Sequence, residues 1–235
     1  MNRLDDMRYI KNDINKEPLP EGPFDLVVNH ATAHHIGRLD YVFLQISKLL
    51  TRDGWFVSMD YVGPHRNQYP PQMWSRIQAV NRELPEKMRQ DLDATRAHLP
   101  SMLAADPSEA QHSEMIMEVM RRYFYIRTFK PLGGAVAYPI FTHNMKFHAI
   151  PYGETEEIVK HVMKLDAQEF EEDPMRTLFA FVIAEPLKEG LPDERHQKIL
   201  LRAELERESK GTQSTYYTPH CVLTDPCRLA RLARA

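Results

Sequence analysis

The sequence predicts an α/β fold whose sheet is mostly parallel. Two short and nearly continuous apolar runs, 24–29 and 55–62, are typical of strands buried on both faces. Between them, over 38–50, the apolar residues recur at helical spacing, and the turn at 52–54 predicts the end of that helix. A strand, a helix and a strand within about 40 residues form a crossover unit, which joins neighbouring parallel strands.

The sequence then becomes helical over 70–122. Proline is favoured in the first turn of a helix, so Pro71 and Pro85 predict two helix starts. A third is predicted at Asp106, a capping residue that Pro107 follows. Beyond this region we predict a strand, a helix and a strand, over 123–129, 154–170 and 177–184.

Composition excludes several functional classes. With 235 residues and a formal net charge of -3, the chain lacks the basic character of a nucleic-acid-binding fold. No apolar run reaches the roughly 18 residues that cross a bilayer, and the N-terminus lacks the apolar core of a signal peptide. We therefore expect a cytoplasmic protein with no nucleic-acid or membrane partner. The two cysteines, Cys221 and Cys227, are expected to be free thiols, since no second pair completes a zinc site.

Glycine is scarce, and this matters for cofactor binding. The chain has 9 glycines, and none forms a G-x-G pair. Dinucleotide and phosphate-binding loops need closely spaced glycines so that the backbone approaches phosphate. Neither loop occurs in this sequence.

The motifs between 7 and 187 resemble, in their order, those of class I S-adenosylmethionine-dependent methyltransferases. The resemblance lies in an acidic residue, a P-F-D-L-V strand, a loop of small residues and histidines, a helix, and the segment L-L-T-R-D-G-W-F-V. It implies a Rossmann-like sheet with one antiparallel strand near the C-terminus and an inserted helical cap over 70–122. The family's first strand and glycine-rich loop have no counterpart, so the resemblance describes an N-terminally truncated domain.

The expected organisation is a partial methyltransferase domain over 1–190, a C-terminal helix over 191–210 and a disordered tail over 211–235. The tail is polar at first and then alternates arginine with leucine and alanine.

The resemblance implies a cofactor site for S-adenosylmethionine at Asp13, Ile14, Asn29, His30 and Ala31. Asp13 would accept a hydrogen bond from the adenine amine, and Ile14 would pack on the ring. The loop that begins at Asn29 would face the methyl group. The alternatives are ordinary local roles: a solvated acid in a turn for Asp13, and a turn cap for Asn29.

Three histidines, His30, His34 and His35, follow the first predicted strand. His35 or His30 is the candidate catalytic base, because an imidazole with a pKa of about 6.5 can take a proton from a hydroxyl or amine near neutral pH. No metal is expected, because no cysteine, aspartate or glutamate at ligand spacing joins them and methyl transfer from a sulfonium requires none. After the second strand, an acceptor pocket is expected at Asp60, Tyr61 and His65.

The predicted function is S-adenosylmethionine-dependent methyl transfer to a small molecule or a saccharide, with O-, N- and C-methylation all open. A non-catalytic remnant or binding module of the same fold is one alternative. Another is one piece of a split or longer enzyme whose other piece carries the glycine-rich loop. Without that loop, the cofactor is expected to bind this chain with a dissociation constant of about a millimolar or weaker.

The strand at 24–29 would pair, in the family, with the strand that has no counterpart here. An unpaired apolar edge is a template for association. Residues 7–14 resemble a weak strand, and we expect them to pair beside this edge, with Tyr9 near Leu26, because closing a loop of some ten residues costs little. The alternative is that another copy of the chain covers the edge.

Overall fold

A four-stranded mixed sheet forms the centre of the fold in the computed structural model, which describes residues 7–91, 94, 96–173 and 176–188. The strands are β1 (Phe24–His30), β2 (Leu50–Tyr61), β3 (Phe124–Pro131) and β4 (Phe179–Pro186), in the order β1-β2-β4-β3. β1 and β2 are parallel, and β4 is antiparallel to both β2 and β3. Three strands therefore run in one direction and β4 opposes them, which confirms the Rossmann-like α/β prediction.

Helices connect the strands in the described part of the chain. They are α1 (Leu39–Leu49), α2 (Pro71–Glu83), α3 (Leu99–Ala105), α4 (Ile116–Tyr123), α5 (Ala137–Phe141), α6 (Met145–His148) and α7 (Tyr152–Glu172). Single 3₁₀ turns lie at Ala33–His35, His65–Asn67, Glu86–Met88 and Ser113–Met115. None of the described helices combines the length and the apolar character needed to span a membrane.

One face of the sheet packs on α1 and α4. Phe43 of α1 meets Phe56 of β2 and Phe124 at the start of β3, with ring centroids 5.8 and 6.3 Å apart. All three side chains are buried, and each contributes about 1.5–3 kcal/mol through the apolar area that it removes from water. This core holds β1 and β2 side by side, so that both end at the same edge of the sheet.

The second core cluster lies around α2, α5 and α7. It includes Ile77, Val80, Ile140, Val162 and Leu178, all buried. The cap predicted over 70–122 is therefore split between two cores, because α2 belongs to this cluster whereas α4 packs beside α1.

The expectation that β1 and β2 are buried on both faces is wrong. Leu26 and Val28 are 54% and 61% exposed, and Trp55 and Met59 are 40% and 38% exposed. In the parallel register, Leu26 is opposite Trp55 and His30 is opposite Met59, so these side chains share one face. α1 and α4 pack on the other face, whereas the second core cluster covers this face only at its Tyr61 and Phe179 end. Continuous apolar runs do not reveal that the rest of this face is uncovered.

The strand predicted over 7–14 is also wrong. These residues form no strand, and Tyr9 is 89% exposed. Next along the chain, the Asn15 side chain accepts from the Gly37 amide at 2.8 Å and donates to the His35 carbonyl at 3.4 Å. This anchor holds the segment at the loop after β1, so it does not run along the β1 edge.

Two of the predicted helices do not begin where the sequence places them, because the local proline and capping signals close only short turns. After Pro85 there is a single 3₁₀ turn, Glu86–Met88. Asp106 Oδ1 accepts from the Ser108 amide at 2.8 Å, but this closes a turn, and the next α-helix begins only at Ile116. β2 also begins at Leu50, directly after α1, so the predicted turn at 52–54 is part of a strand. The helix expected over 191–210 and the tail over 211–235, with both cysteines, lie outside the described residues.

Candidate active site

Asp60 is the buried centre of the site. It lies near the carboxyl end of β2 and is 2% exposed. Its carboxylate accepts from Asn29 Nδ2 at 2.7 Å and from the backbone amides of Thr32 and Ala33 at 3.0 and 2.7 Å. The chain turns sharply after β1, where Ala31 has a φ of 49°. That turn directs the loop amides at the carboxylate.

His34 makes the most direct contact with Asp60. Its Nδ1 lies 2.6 Å from Asp60 Oδ1, and its side chain is 11% exposed. Burial disfavours the charged imidazole, but the hydrogen bond to Asp60 and the nearby carboxylates outweigh burial and raise the pKa of His34. Burial likewise opposes ionisation of Asp60, yet the donors from His34 and Asn29 hold the pKa of Asp60 below its ordinary value.

His35 lies beside His34, with ring centroids 4.1 Å apart. Its Nδ1 is 3.0 Å from Ser108 Oγ, which in turn donates to Asp106 Oδ1 at 2.6 Å. Glu109 completes the group, because its Oε2 lies 3.7 Å from the Nε2 atoms of both histidines. We call His34, His35 and Glu109 the histidine–glutamate cluster.

The turn that carries Glu109 is held by Arg66. Arg66 Nη1 donates to the carbonyls of Pro107 and Glu109, both at 2.7 Å. The Gln111 amide also donates to the His34 carbonyl at 3.1 Å. These bonds position the turn over the loop that follows β1, at the edge where ligands bind in open α/β sheets.

The structure brings the expected adenine residues to the same edge. Asp13 is exposed, and its Oδ2 pairs with Lys16 at 2.8 Å. Ile14 is partly buried against the core, and the neighbouring Asn15 bonds to the loop at His35 and Gly37. The segment therefore lies next to the histidine loop.

The other predicted site residues do not belong to the histidine–glutamate cluster. The Asn29 amide is engaged below the surface by Asp60 and by Ser58 Oγ, the latter at 2.8 Å. Tyr61 is buried, with its hydroxyl donating to the Pro64 carbonyl at 3.1 Å. His65 stacks on His112 with centroids 6.0 Å apart. His30 and Ala31 are exposed at the end of β1, outside the histidine–glutamate cluster.

Sequence reasoning missed two of the residues that the structure assembles here. His34 was passed over in favour of His30 and His35, although Asp60, its partner, was singled out. Glu109 carries no local signal of a site, since it simply follows the helix start predicted at Asp106. No pattern in the sequence relates it to histidines more than 70 residues earlier, as the 73-residue separation of Ser108 from His35 illustrates.

The comparisons with known proteins give one family match and several similarities to solved structures. A family model described as a methyltransferase domain matches residues 1–133, and no curated protein matches. A geranyl diphosphate methyltransferase solved with S-adenosylmethionine is similar at 11% identity and a TM-score of 0.40, over 75% of this chain and 56% of that one. A Mesorhizobium loti S-adenosylmethionine-dependent methyltransferase is similar at 15% identity and a TM-score of 0.40, over 75% of this chain and 68% of that one.

The [4+2]-cyclase SpnF is also similar, at 13% identity and a TM-score of 0.35, over 74% of this chain and 53% of that one. The chain thus spans little more than half the length of the cyclase and of the geranyl diphosphate enzyme. The family match includes β1, α1, β2 and the histidine–glutamate cluster, and it extends over more than half of the 235 residues. On that match, the chain belongs to the methyltransferase-domain family.

Proposed function

We propose that this chain takes part in S-adenosylmethionine-dependent methyl transfer to a hydroxyl group of a small molecule or a saccharide. One observation carries the proposal: a polar cluster of two imidazoles and a glutamate stands at the carboxyl ends of β1 and β2 in a methyltransferase-domain fold. The imidazoles are backed by carboxylates and partly exposed, so they can meet a bound acceptor.

The residues present fit one part of the cofactor. Exposed Asp13 and partly buried Ile14 lie beside the loop after β1, as a site for adenine next to the methyl group requires. Asn15 ties the two segments together through Gly37. The glycine-rich loop has no counterpart in the sequence, which supports weak binding by this chain.

The chemistry asked of the protein is alignment and proton removal. When bound, S-adenosylmethionine would supply an electrophilic methyl group: the acceptor oxygen would form a bond to the methyl carbon while the carbon–sulfur bond breaks, with its electron pair remaining on sulfur. The chain's part is to orient the acceptor hydroxyl and to receive its proton. His35 is the proposed residue for contact with that hydroxyl, because it is the more exposed imidazole of the cluster, with its Nδ1 held by Ser108.

A binding module of the same fold is the second candidate. The absence of any G-x-G favours it, because that loop would hold the cofactor in the family that the chain resembles. The two candidates differ in whether the cofactor binds at the Asp13 edge at all.

Cofactor binding is the first test. Calorimetric titration of the full chain with S-adenosylmethionine should give a dissociation constant of about a millimolar, equivalent to about 4 kcal/mol. Asp13→Ala should weaken it several-fold, because the carboxylate is the proposed acceptor for the adenine amine. Asp25→Ala is the matched control, since Asp25 is exposed near the opposite end of β1, beside Thr51.

The result that would overturn the proposal is equally direct. No heat of binding at about ten millimolar ligand would assign the chain to the binding-module class. Equal affinity in the two alanine variants would remove Asp13 from the site.

Methyl transfer is the second test. Mass spectrometry of hydroxylated acceptors should show a gain of one methyl group, and this gain should be lost in His35→Gln.

A further inference from the structure

We propose that the histidine–glutamate cluster is a binding site for a divalent transition-metal ion of the zinc class. His34, His35 and Glu109 each offer one ligand atom, and these atoms all lie within 4.8 Å of one another. The two Nε2 to Oε2 distances are 3.7 Å each. Ligand atoms at the usual bond length of about 2.0–2.1 Å on a tetrahedral ion lie about 3.3 Å apart, so a small closure of the side chains would complete the set.

The orientation of the imidazoles supports a metal more specifically than proximity does. In metal sites, the ring nitrogen that does not bind the ion is held by a carboxylate or another polar group. His34 Nδ1 is held by Asp60 at 2.6 Å, and His35 Nδ1 by Ser108 at 3.0 Å. Both Nε2 atoms are thereby directed to the same oxygen of Glu109.

The donor set indicates which ions fit. Two imidazoles and one carboxylate are a combination that zinc and other first-row divalent ions bind, whereas magnesium and calcium prefer oxygen ligands. The carboxylates of Asp60 and Asp106 add negative charge close to the histidines. The side chains of His35 and Glu109 are 33% and 26% exposed, so a further coordination position would open to solvent.

The ion would also change how the acceptor is activated, a consequence that rests on the proposed function. With both imidazoles as ligands, His35 would no longer be the base; the ion would bind the acceptor hydroxyl at its open position and lower the pKa of that hydroxyl, so that its proton would leave to solvent water. Metal binding itself requires neither S-adenosylmethionine nor an acceptor, so it can be measured independently of methyl transfer.

The test uses the full chain, freed of metal by a chelator and carrying Cys221→Ser and Cys227→Ser so that thiolates do not compete. Cobalt(II) is the optical probe and zinc(II) the calorimetric one. We expect one ion per chain with a micromolar dissociation constant and visible cobalt absorption. Metal binding should be weakened by at least about ten-fold in each of the variants Glu109→Gln, His34→Gln and His35→Gln. Ser108→Ala should weaken it by a smaller factor, since it removes only a supporting hydrogen bond.

His161→Gln is the matched control. His161 Nε2 lies 2.9 Å from Glu83 on the surface, a histidine–carboxylate pair that belongs to no group of three candidate ligands among the described residues. The metal affinity of the His161→Gln variant should equal that of the parent protein. Circular dichroism of each variant checks that the fold is retained, and the Glu109 and Ser108 variants keep the test decisive if a histidine variant unfolds.

Two outcomes would overturn the inference: no stoichiometric cobalt or zinc binding, or binding that Glu109→Gln and Ser108→Ala leave unchanged. Metal binding without any methyl transfer would sustain the site while removing the proposed function. Methyl transfer that is unaffected by the chelator would sustain the proposed function and overturn only the ion's part in activating the acceptor.

Discussion

At the scale of single residues, Asp60 decides the form of the site. Its buried carboxylate collects donors from the loop after β1 and from the His34 ring. A buried charge is stable only when such donors replace water. The negative charge fixes both the ring of His34 and the path of the loop. Asp60 therefore positions His34 within the histidine–glutamate cluster.

Replacing Asp60 with Asn should therefore destabilise the protein by about 2–4 kcal/mol, because an amide keeps only one acceptor oxygen and its NH2 group must face the donors on one side, either the loop amides or His34 Nδ1 and the Tyr61 amide. The effect should depend on pH. The folded-state pKa of Asp60 is lowered from 3.8, so its ionisation contributes stability above that value, and the contribution is lost as the pH falls through the lower folded value.

Urea unfolding of chelator-treated protein between about pH 7 and pH 3 measures this prediction. The difference between the parent and Asp60→Asn should shrink toward the acid end. Asp25→Asn, at an exposed position, should change little at any pH. A constant difference over the whole range would mean that ionisation of Asp60 does not contribute.

At the scale of elements, a side chain from α7 determines where α5 begins. The Asp166 carboxylate accepts from the amides of Gly134 and Val136, both at 2.7 Å, and of Ala137 at 3.0 Å. The preceding turn needs glycine, because Gly133 and Gly134 have φ values of 74° and 94°. The helix has no side-chain cap of its own, so its free amides are satisfied by a distant element.

Asp166→Ala should lower the free energy of unfolding by about 2–4 kcal/mol, since it leaves three buried or partly buried amides without their acceptor. Gly133→Ala should also destabilise the fold, because its φ is unfavourable for alanine and the new Cβ would lie 2.6 Å from Asp166 Oδ2. Thermal unfolding followed by circular dichroism gives both values. Glu157→Gln, on the exposed side of α7 with its side chain 86% exposed, is the control. An unfolding midpoint of Asp166→Ala equal to that of the control would exclude the capping role of Asp166.

At the scale of the molecule, the described fold leaves part of one sheet face and one strand edge uncovered. β1 pairs only with β2 among the described residues, and Leu26, Val28 and Trp55 expose their side chains on the open face. An unpaired apolar edge is prone to pair with another chain. Self-association through β1 is therefore the expected behaviour of this chain in solution.

Val28→Lys should reduce that association, because a charge at the centre of the open face opposes burial against a second copy. Light scattering after size-exclusion chromatography, over a range of concentrations, measures the mass. Met163→Lys is the control, since Met163 is 50% exposed and lies on α7, not on the β1 strand. A parent protein that stays monomeric, or a lysine variant that associates as strongly, would contradict the expectation.

Sequence patterns alone predicted the crossover unit, a strand over 177–184 and a helix over 154–170, which the structure has as Phe179–Pro186 and Tyr152–Glu172. Hydrophobic periodicity within one segment is a local property of the sequence. The same patterns carried the resemblance to the methyltransferase family, and they singled out the loop at the end of β1. Only the tertiary structure showed that one face of the sheet is exposed at Leu26, Val28 and Trp55, and that the capping signals at Pro85 and Asp106 do not start helices. It alone brought Glu109 to His34 and His35, because the contact depends on how Arg66 fixes a distant turn over the loop, and no local pattern encodes the packing of segments so far apart in the chain.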